Sequence, residues 1–267
     1  MLVLARGAWF AAAMILFGIS LFAVPLRTRL QIALALPWRP AIVAVALISG
    51  LAWLALTAGE MAGTAPDSAA IRATLTTTLF GQAMAARLLL LAALLALRGP
   101  RITALLAGIA LALPALTGHA AATSPAGFSA IGITVDAVHL LSAGFWIGGL
   151  SALAVLFVRR EPRIIAALAL FSDWGMVAVL LLVMTGLINA TQILLGEKGA
   201  DAPAYLWILG AKLALVAVML VLATLNRFRL MPACRTGQIA RNAALELGIG
   251  LVVVLLAGWL GQMSPTL

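Results

Sequence analysis

Charge is scarce in this chain. Only 9% of its 267 residues are charged, eight of them acidic, while 64% are apolar. A water-soluble domain of this length needs a far more charged surface, so the solvent around most of the chain is lipid. A single cysteine, Cys234, excludes an intramolecular disulfide framework. There is no Gly-x-x-x-x-Gly-Lys-[Ser/Thr] string and no aspartyl-phosphate sequence, so any transport is passive or coupled to an ion gradient rather than driven by ATP. Alternation at period two is missing as well. Runs such as Leu88 to Leu97 and Val177 to Met184 have no polar break, which excludes a transmembrane barrel.

What the chain does have is apolar runs of spanning length separated by arginines. A helix crosses the hydrocarbon with about 20 apolar residues, and spans are expected near 7–24, 41–59, 80–97, 102–119, 131–157, 164–194, 205–228 and 243–262. The fold class is therefore an all-α polytopic bundle of about eight transmembrane helices, read as one integral membrane domain over residues 1–267. Pro25, Arg27 and Arg29 follow the first run without a convincing cleavage site, so it reads as a retained helix and not a signal peptide. The net charge of +9 invites a nucleic-acid reading. Its arginines, however, flank helix ends and do not form a phosphate-binding stripe, so no nucleic-acid partner is expected. Arg27, Arg29, Arg39, Arg98, Arg101, Arg159, Arg160, Arg163, Arg227, Arg229, Arg235 and Arg241 fill the odd-numbered connections. Only Arg6, Arg72 and Lys198 fall in the N-terminal stub and the even ones. The positive-inside rule then puts the odd connections in the cytoplasm and both termini on the periplasmic face. The second connection, opening Pro66-Asp67-Ser68, is expected to form a short helix on the outer face.

Ionisable residues inside spans are costly and mark function or pairing. Asp136 and His139 are three apart and share a helical face. His119 ends the fourth span, and Glu60 with Met61 ends the second. All five fall in the outer half of the membrane under this topology. They form the candidate metal ligands, because imidazole and carboxylate suit Cu(II) and thioether suits Cu(I). A carboxylate one turn from a histidine is also an arrangement that orients a metal-binding imidazole. Arg87 and Lys212 are expected to neutralise Asp136 and Glu60, with Arg87 paired to Asp136. Asp173 either continues a polar path inward or bonds a neighbouring helix, the latter being the simpler reading. Met61, Met84, Met184 and Met263 are ordinary gap-fillers unless they gather around a metal. Met231 and Cys234, on the seventh connection, would be placed to receive a soft metal on the cytoplasmic side, and an ordinary free cysteine is the plainer alternative.

The string from Asp136 to Leu150, Asp-x-x-His followed by Trp146-x-Gly148-Gly149-Leu150, resembles the signature of the copper resistance protein D family (CopD/PcoD). Further matches run in order: Thr78-x-Phe80-Gly81 before Arg87, Gly118-His119-Ala120, Phe171-Ser172, Thr185 to Ala190, Tyr205 with Lys212, and Asn226-Arg227. The similarity extends over roughly 50–265. It implies a bacterial inner-membrane protein that binds copper at its periplasmic side and passes it inward, with Trp146, Arg87 and Lys212 supporting the site. It also implies a periplasmic CopC-like carrier as partner. Only a few residues precede the first span, so that carrier is expected to be a separate polypeptide.

The expectation is thus a copper transporter and not an enzyme. Two alternatives stay open. Two histidines on adjacent helices could hold haem b in a membrane oxidoreductase, and a non-conducting scaffold or sensor could bind copper while docking the carrier.

Overall fold

The computed structural model describes residues 1–117, 130–195 and 202–263. Helices over this range are α1 (Leu2–Leu30), α2 (Arg39–Ala62), α3 (Ser68–Thr77), α4 (Leu79–Ala96), α5 (Pro100–Ala112), α6 (Ala130–Val158), α7 (Ile164–Leu195), α8 (Ala202–Leu225) and α9 (Thr236–Leu260). No strand occurs among the described residues. Seven of the helices are long and apolar enough to cross a membrane, and the shorter apolar stretch Pro100–Leu116 adds an eighth segment. The all-α polytopic architecture expected from the sequence is the one found.

Boundaries shift for local reasons. α5 stops at Ala112 and tightens into a 3-10 turn over Leu113–Leu116, where Pro114 lacks the N–H that would continue the α-helical ladder. α9 begins at Thr236, a full two turns before the expected start at 243. Its first turns carry Arg241 and Asn242, polar residues that hydropathy alone assigns to a loop. α8 ends in a π-turn over Asn226–Leu230 that redirects the chain toward α9. The short helix of the second connection is present as α3: the Asp67 carboxylate accepts from the Ala70 N–H at 2.7 Å, a cap that contributes about 1 kcal/mol. Thr78 caps α4 in the same way, its Oγ1 accepting from Gly81 N at 3.0 Å.

α1 is the hub, packed against α2, α5, α6 and α9. α6 in turn packs on α7, α9 and α5, and α8 on α9. Two ends of the bundle are distinct. At one end Arg6 Nη1 donates to Gly261 O at 2.7 Å, which joins the first helix to the last. At the other, arginines of the odd connections close on exposed helix-end carbonyls. Arg163 donates to Leu30 and Gln31, Arg159 to Ala35, and Arg39 to Leu94 and Leu97. The termini thus share one end, and the basic connections gather at the opposite end.

α1 and α6 approach each other at backbone distance. A Cβ added to Gly148 would lie 2.4 Å from the Gly18 Cα, and one added to Gly18 would lie 2.1 Å from the Gly144 carbonyl oxygen. Small residues that let backbones touch are what holds helices together where lipid offers no hydrophobic drive. Gly149, next in the chain, leaves room for the Phe171 ring, which a Cβ there would meet at 2.2 Å. Gly148→Ala should therefore force α1 and α6 apart and cost roughly 1–3 kcal/mol. Thermal unfolding of the detergent-solubilised variant should show a clear drop in midpoint, and an unchanged midpoint would contradict the contact.

Candidate metal site

α6 carries a stripe of side chains on the face turned away from α1. Asp136, His139 and Trp146 follow at helical spacing, and Leu150 and Leu153 continue it toward the basic end. His139 sits about 13 Å along the helix from its start at Ala130. Polar partners come from α7. His139 Nδ1 lies 2.9 Å from Thr185 Oγ1, and Asn189 Nδ2 donates to Asp136 Oδ1 at 2.6 Å. The four side chains form two rungs between the same two helices.

The direction of the His139–Thr185 bond follows from the threonine. Thr185 has one hydroxyl proton, and its Oγ1 lies 2.6 Å from the Leu181 carbonyl oxygen one turn earlier. With the proton committed there, Oγ1 accepts from His139 Nδ1–H. The Nε2 atom of the neutral ring is then the one with a lone pair for a metal. This is the arrangement in which an outer hydrogen bond fixes the tautomer of a metal-binding imidazole.

Charge near this pair comes from α8. The Lys212 ammonium acts electrostatically on both Asp136 and His139. Lys212 is thus within electrostatic reach of Asp136. The expected Arg87–Asp136 pair is not formed. Arg87 is fully buried elsewhere, its Nη2 donating to Thr117 Oγ1 at 3.2 Å. Its guanidinium carbon lies 5.6 Å from the Trp9 ring and 5.4 Å from that of Trp53. Aromatic faces stabilise a desolvated guanidinium by about 2 kcal/mol or more, an arrangement that a search for opposite charges along the sequence does not reveal.

The other expected ligands fall in different places. Glu60 and Met61 are exposed at the end of α2, which packs on α1, α3 and α4. Glu60 acts on Arg6, and Arg6 lies 5.1 Å from the Trp53 ring. Glu60 and Met61 therefore stand beside the Arg6–Trp53 group, at the same end of the bundle as His139 but on a different set of helices. His119 lies outside the described residues. Among those described, no three His, Cys, Asp or Glu side chains gather. Trp146 packs on Phe171 with centroids 5.7 Å apart. Asp173 bonds the neighbouring helix end through Arg227 at 3.1 Å. Cys234 is exposed.

A second polar group joins Asn226, known from the motif matches, to two residues that the sequence does not single out. Asn226, Asn242 and Glu246 form a chain of hydrogen bonds at the ends of α8 and α9. Beside it lies a cavity of about 200 Å³ whose wall includes Trp146, Leu150 and Leu153 of the α6 stripe. A larger groove of about 670 Å³, between α1, α5 and α6, is almost wholly apolar and touches neither polar group.

Comparison with known proteins gives a consistent picture. Residues 1–129 match the family described as copper resistance protein D-like, N-terminal domain, and residues 165–260 match copper resistance protein D. The chain is 33% identical to copper resistance protein D of Pseudomonas syringae pv. tomato, over 97% of this chain and 95% of that protein. It is 31% identical to inner membrane protein YebZ of Escherichia coli (strain K12), over 96% and 95%. It is also 34% identical to copper transport protein CutJ of Bacillus subtilis (strain 168), over 54% of this chain and 27% of that protein. No solved structure matches.

The Asp136–Lys212 relation predicts a coupled pair. Lys212→Met removes the cation beside the carboxylate and should destabilise the purified protein, whereas adding Asp136→Asn should restore part of the loss. Breaking a buried pair from one side costs about 3–5 kcal/mol, most of it the charge left behind. Simple additivity of the two single losses in unfolding experiments would show that the groups are independent.

Proposed function

This chain belongs to the copper resistance protein D family and is a multi-pass inner-membrane protein, and on that footing we propose that it carries copper across the membrane from the termini end toward the basic end. The observation that carries the proposal is the α6 stripe. It runs from Asp136 and a histidine whose Nδ1 is held by Thr185 and whose Nε2 is left for a ligand to a partly open, largely apolar cavity near the basic end that Asn226 and Glu246 also line. Copper is the cargo here, not a resident cofactor. Asp136 supplies negative charge beside the ring, and Lys212 limits that charge so that the site need not hold its ion tightly. A transport site must bind well enough to load and weakly enough to release. His139 and Asp136 form the core of the loading site, with His119 as a further ligand and Glu60 and Met61 as outlying acceptors. A separate periplasmic CopC-like protein is the proposed donor.

The orientation belongs to the same proposal. The arginine-rich connections gather at one end of the bundle and favour the cytoplasm for that end, which puts both termini in the periplasm. Cys234 on the last basic connection is exposed, so a membrane-impermeant thiol reagent should leave it unmodified in intact cells and modify it in inverted vesicles. Labelling in intact cells would reverse the direction assigned to transport.

Purified protein in liposomes should accumulate copper, and His139→Ala should slow uptake by roughly tenfold or more while leaving thermal stability near that of wild type. Copper binding without uptake would favour a scaffold, and a strong Soret band in the purified protein would favour a haem enzyme. Equal uptake by wild type and the His139→Ala variant would remove His139 from the pathway.

A further inference from the structure

Glu246 is a buried carboxyl without an ionic partner among the described residues. It lies on α9 with 2% of its surface exposed, and its Oε1 accepts from Asn226 Nδ2 at 2.8 Å. Asn226 is itself held, its Oδ1 accepting from Asn242 Nδ2 at 2.9 Å. These amides fix the carboxyl in place but bring no charge. The cation next in sequence, Arg227, lines the same cavity but is engaged by Ser172 and by the Asp173 carboxylate of α7 at 3.1 Å. Arg87, also fully buried, has the faces of two indoles about its guanidinium. Glu246 has no such group, and an ionised carboxylate buried in this way needs a cation.

The carboxyl lines the cavity of about 200 Å³ noted above, whose wall also includes Asn226, Met176 and Met231. A single water occupies about 30 Å³ of liquid, so there is ample room for an ion with remaining solvent. Met176 comes from α7 and Met231 from the turn after α8, two elements meeting at the same chamber as α9. A wall that offers two thioethers and one carboxylate favours a soft, low-charge cation over Mg²⁺ or Ca²⁺, which need several hard oxygens. Cys234, three residues past Met231, is exposed and contributes nothing to the wall.

We propose that this chamber is a second cation-binding station, in which the Glu246 carboxylate and the Met231 thioether hold a soft monovalent ion, with Met176 at its rim and Asn226 and Asn242 orienting the carboxylate. Its cargo is Cu(I) if the copper-transport reading holds, and the identification of the ion rests on that reading, whereas the cation site itself does not. The α6 stripe connects it to the outer site: Trp146 follows His139 by two turns and lines the chamber. The station is therefore the inner-half counterpart of the His139 site, built from softer donors.

Ag(I), a redox-inert soft monovalent ion, is the probe. Full-length protein in nanodiscs should lose about one equivalent of bound Ag(I) on Glu246→Gln, a change that keeps the Asn226 hydrogen bond but removes the charge. Met231→Leu, which conserves volume, should weaken the same equivalent roughly tenfold. It also serves as the test if Glu246→Gln fails to fold. His139→Ala should leave that equivalent in place. Identical Ag(I) stoichiometry and affinity in wild type and both inner-site variants would overturn the station and make Glu246 a neutral hydrogen-bonding residue. If wild-type liposomes take up no copper but the Glu246-dependent equivalent persists, the transport reading fails and the station stands. If uptake occurs and Ag(I) binding ignores Glu246 and Met231, the station alone fails.

Discussion

The placement of the candidate site in this fold depends on a backbone contact. α1 and α6 meet at Gly18 and Gly148 so closely that neither position has room for a Cβ. That contact commits one face of α6 to the hub helix and turns the other toward α7, where Asp136, His139 and Trp146 find their partners. Gly149 extends the same logic by admitting Phe171, which lies beside both Phe145 and Trp146. The Trp-x-Gly-Gly-Leu string that carries the family resemblance is thus a packing device first. Its chemistry is confined to the residues that precede it, Asp136 and His139, and to the aromatic ring that separates them from the inner chamber.

The bundle treats its intramembrane charges in three different ways. Asp136 has Lys212 of α8 within electrostatic reach. Arg87 has aromatic faces and a threonine. Glu246 has only amides and a cavity. In lipid the difference matters, because water cannot relax around an unmatched charge. Where protein charge or aromatic faces meet it, the group serves structure or orients a neighbour. Where neither does, the fold leaves a place for something that arrives from outside.

Much of the architecture was legible in the sequence because hydropathy and arginine placement are one-dimensional signals. The spans, the short α3 helix with its Asp67 cap and the grouping of basic connections all followed from them. Partners across helices were harder. Arg87 was assigned to Asp136 because both are charged and of similar depth, yet nothing in the sequence says that Trp9 and Trp53 close around the guanidinium. Glu246 was overlooked because it lies inside the expected span 243–262, where an apolar average over the whole run conceals one carboxyl near its start. The useful signal was there: Asn242 and Glu246 are four apart on one helical face, and Asn226 starts the preceding turn. Glu60 and Met61 were grouped with His139 by depth alone, and depth does not say which helices are neighbours. His119 lies outside the described residues, so its meeting with His139 remains an expectation of the sequence.

The arginines at the basic end have two employments at different moments. During insertion their charge tells each helix which way to face, and any cation in the same connection would do. In the finished bundle Arg39, Arg159 and Arg163 become hydrogen-bond donors to the last carbonyls of α1 and α4 and to the chain that leaves α1. That second task needs a planar fork of N–H groups, which an ammonium lacks. The address label of the chain is thereby converted into the latch that closes its helix ends. A lysine in these positions would carry the same orienting charge and leave the helix ends of the basic end frayed.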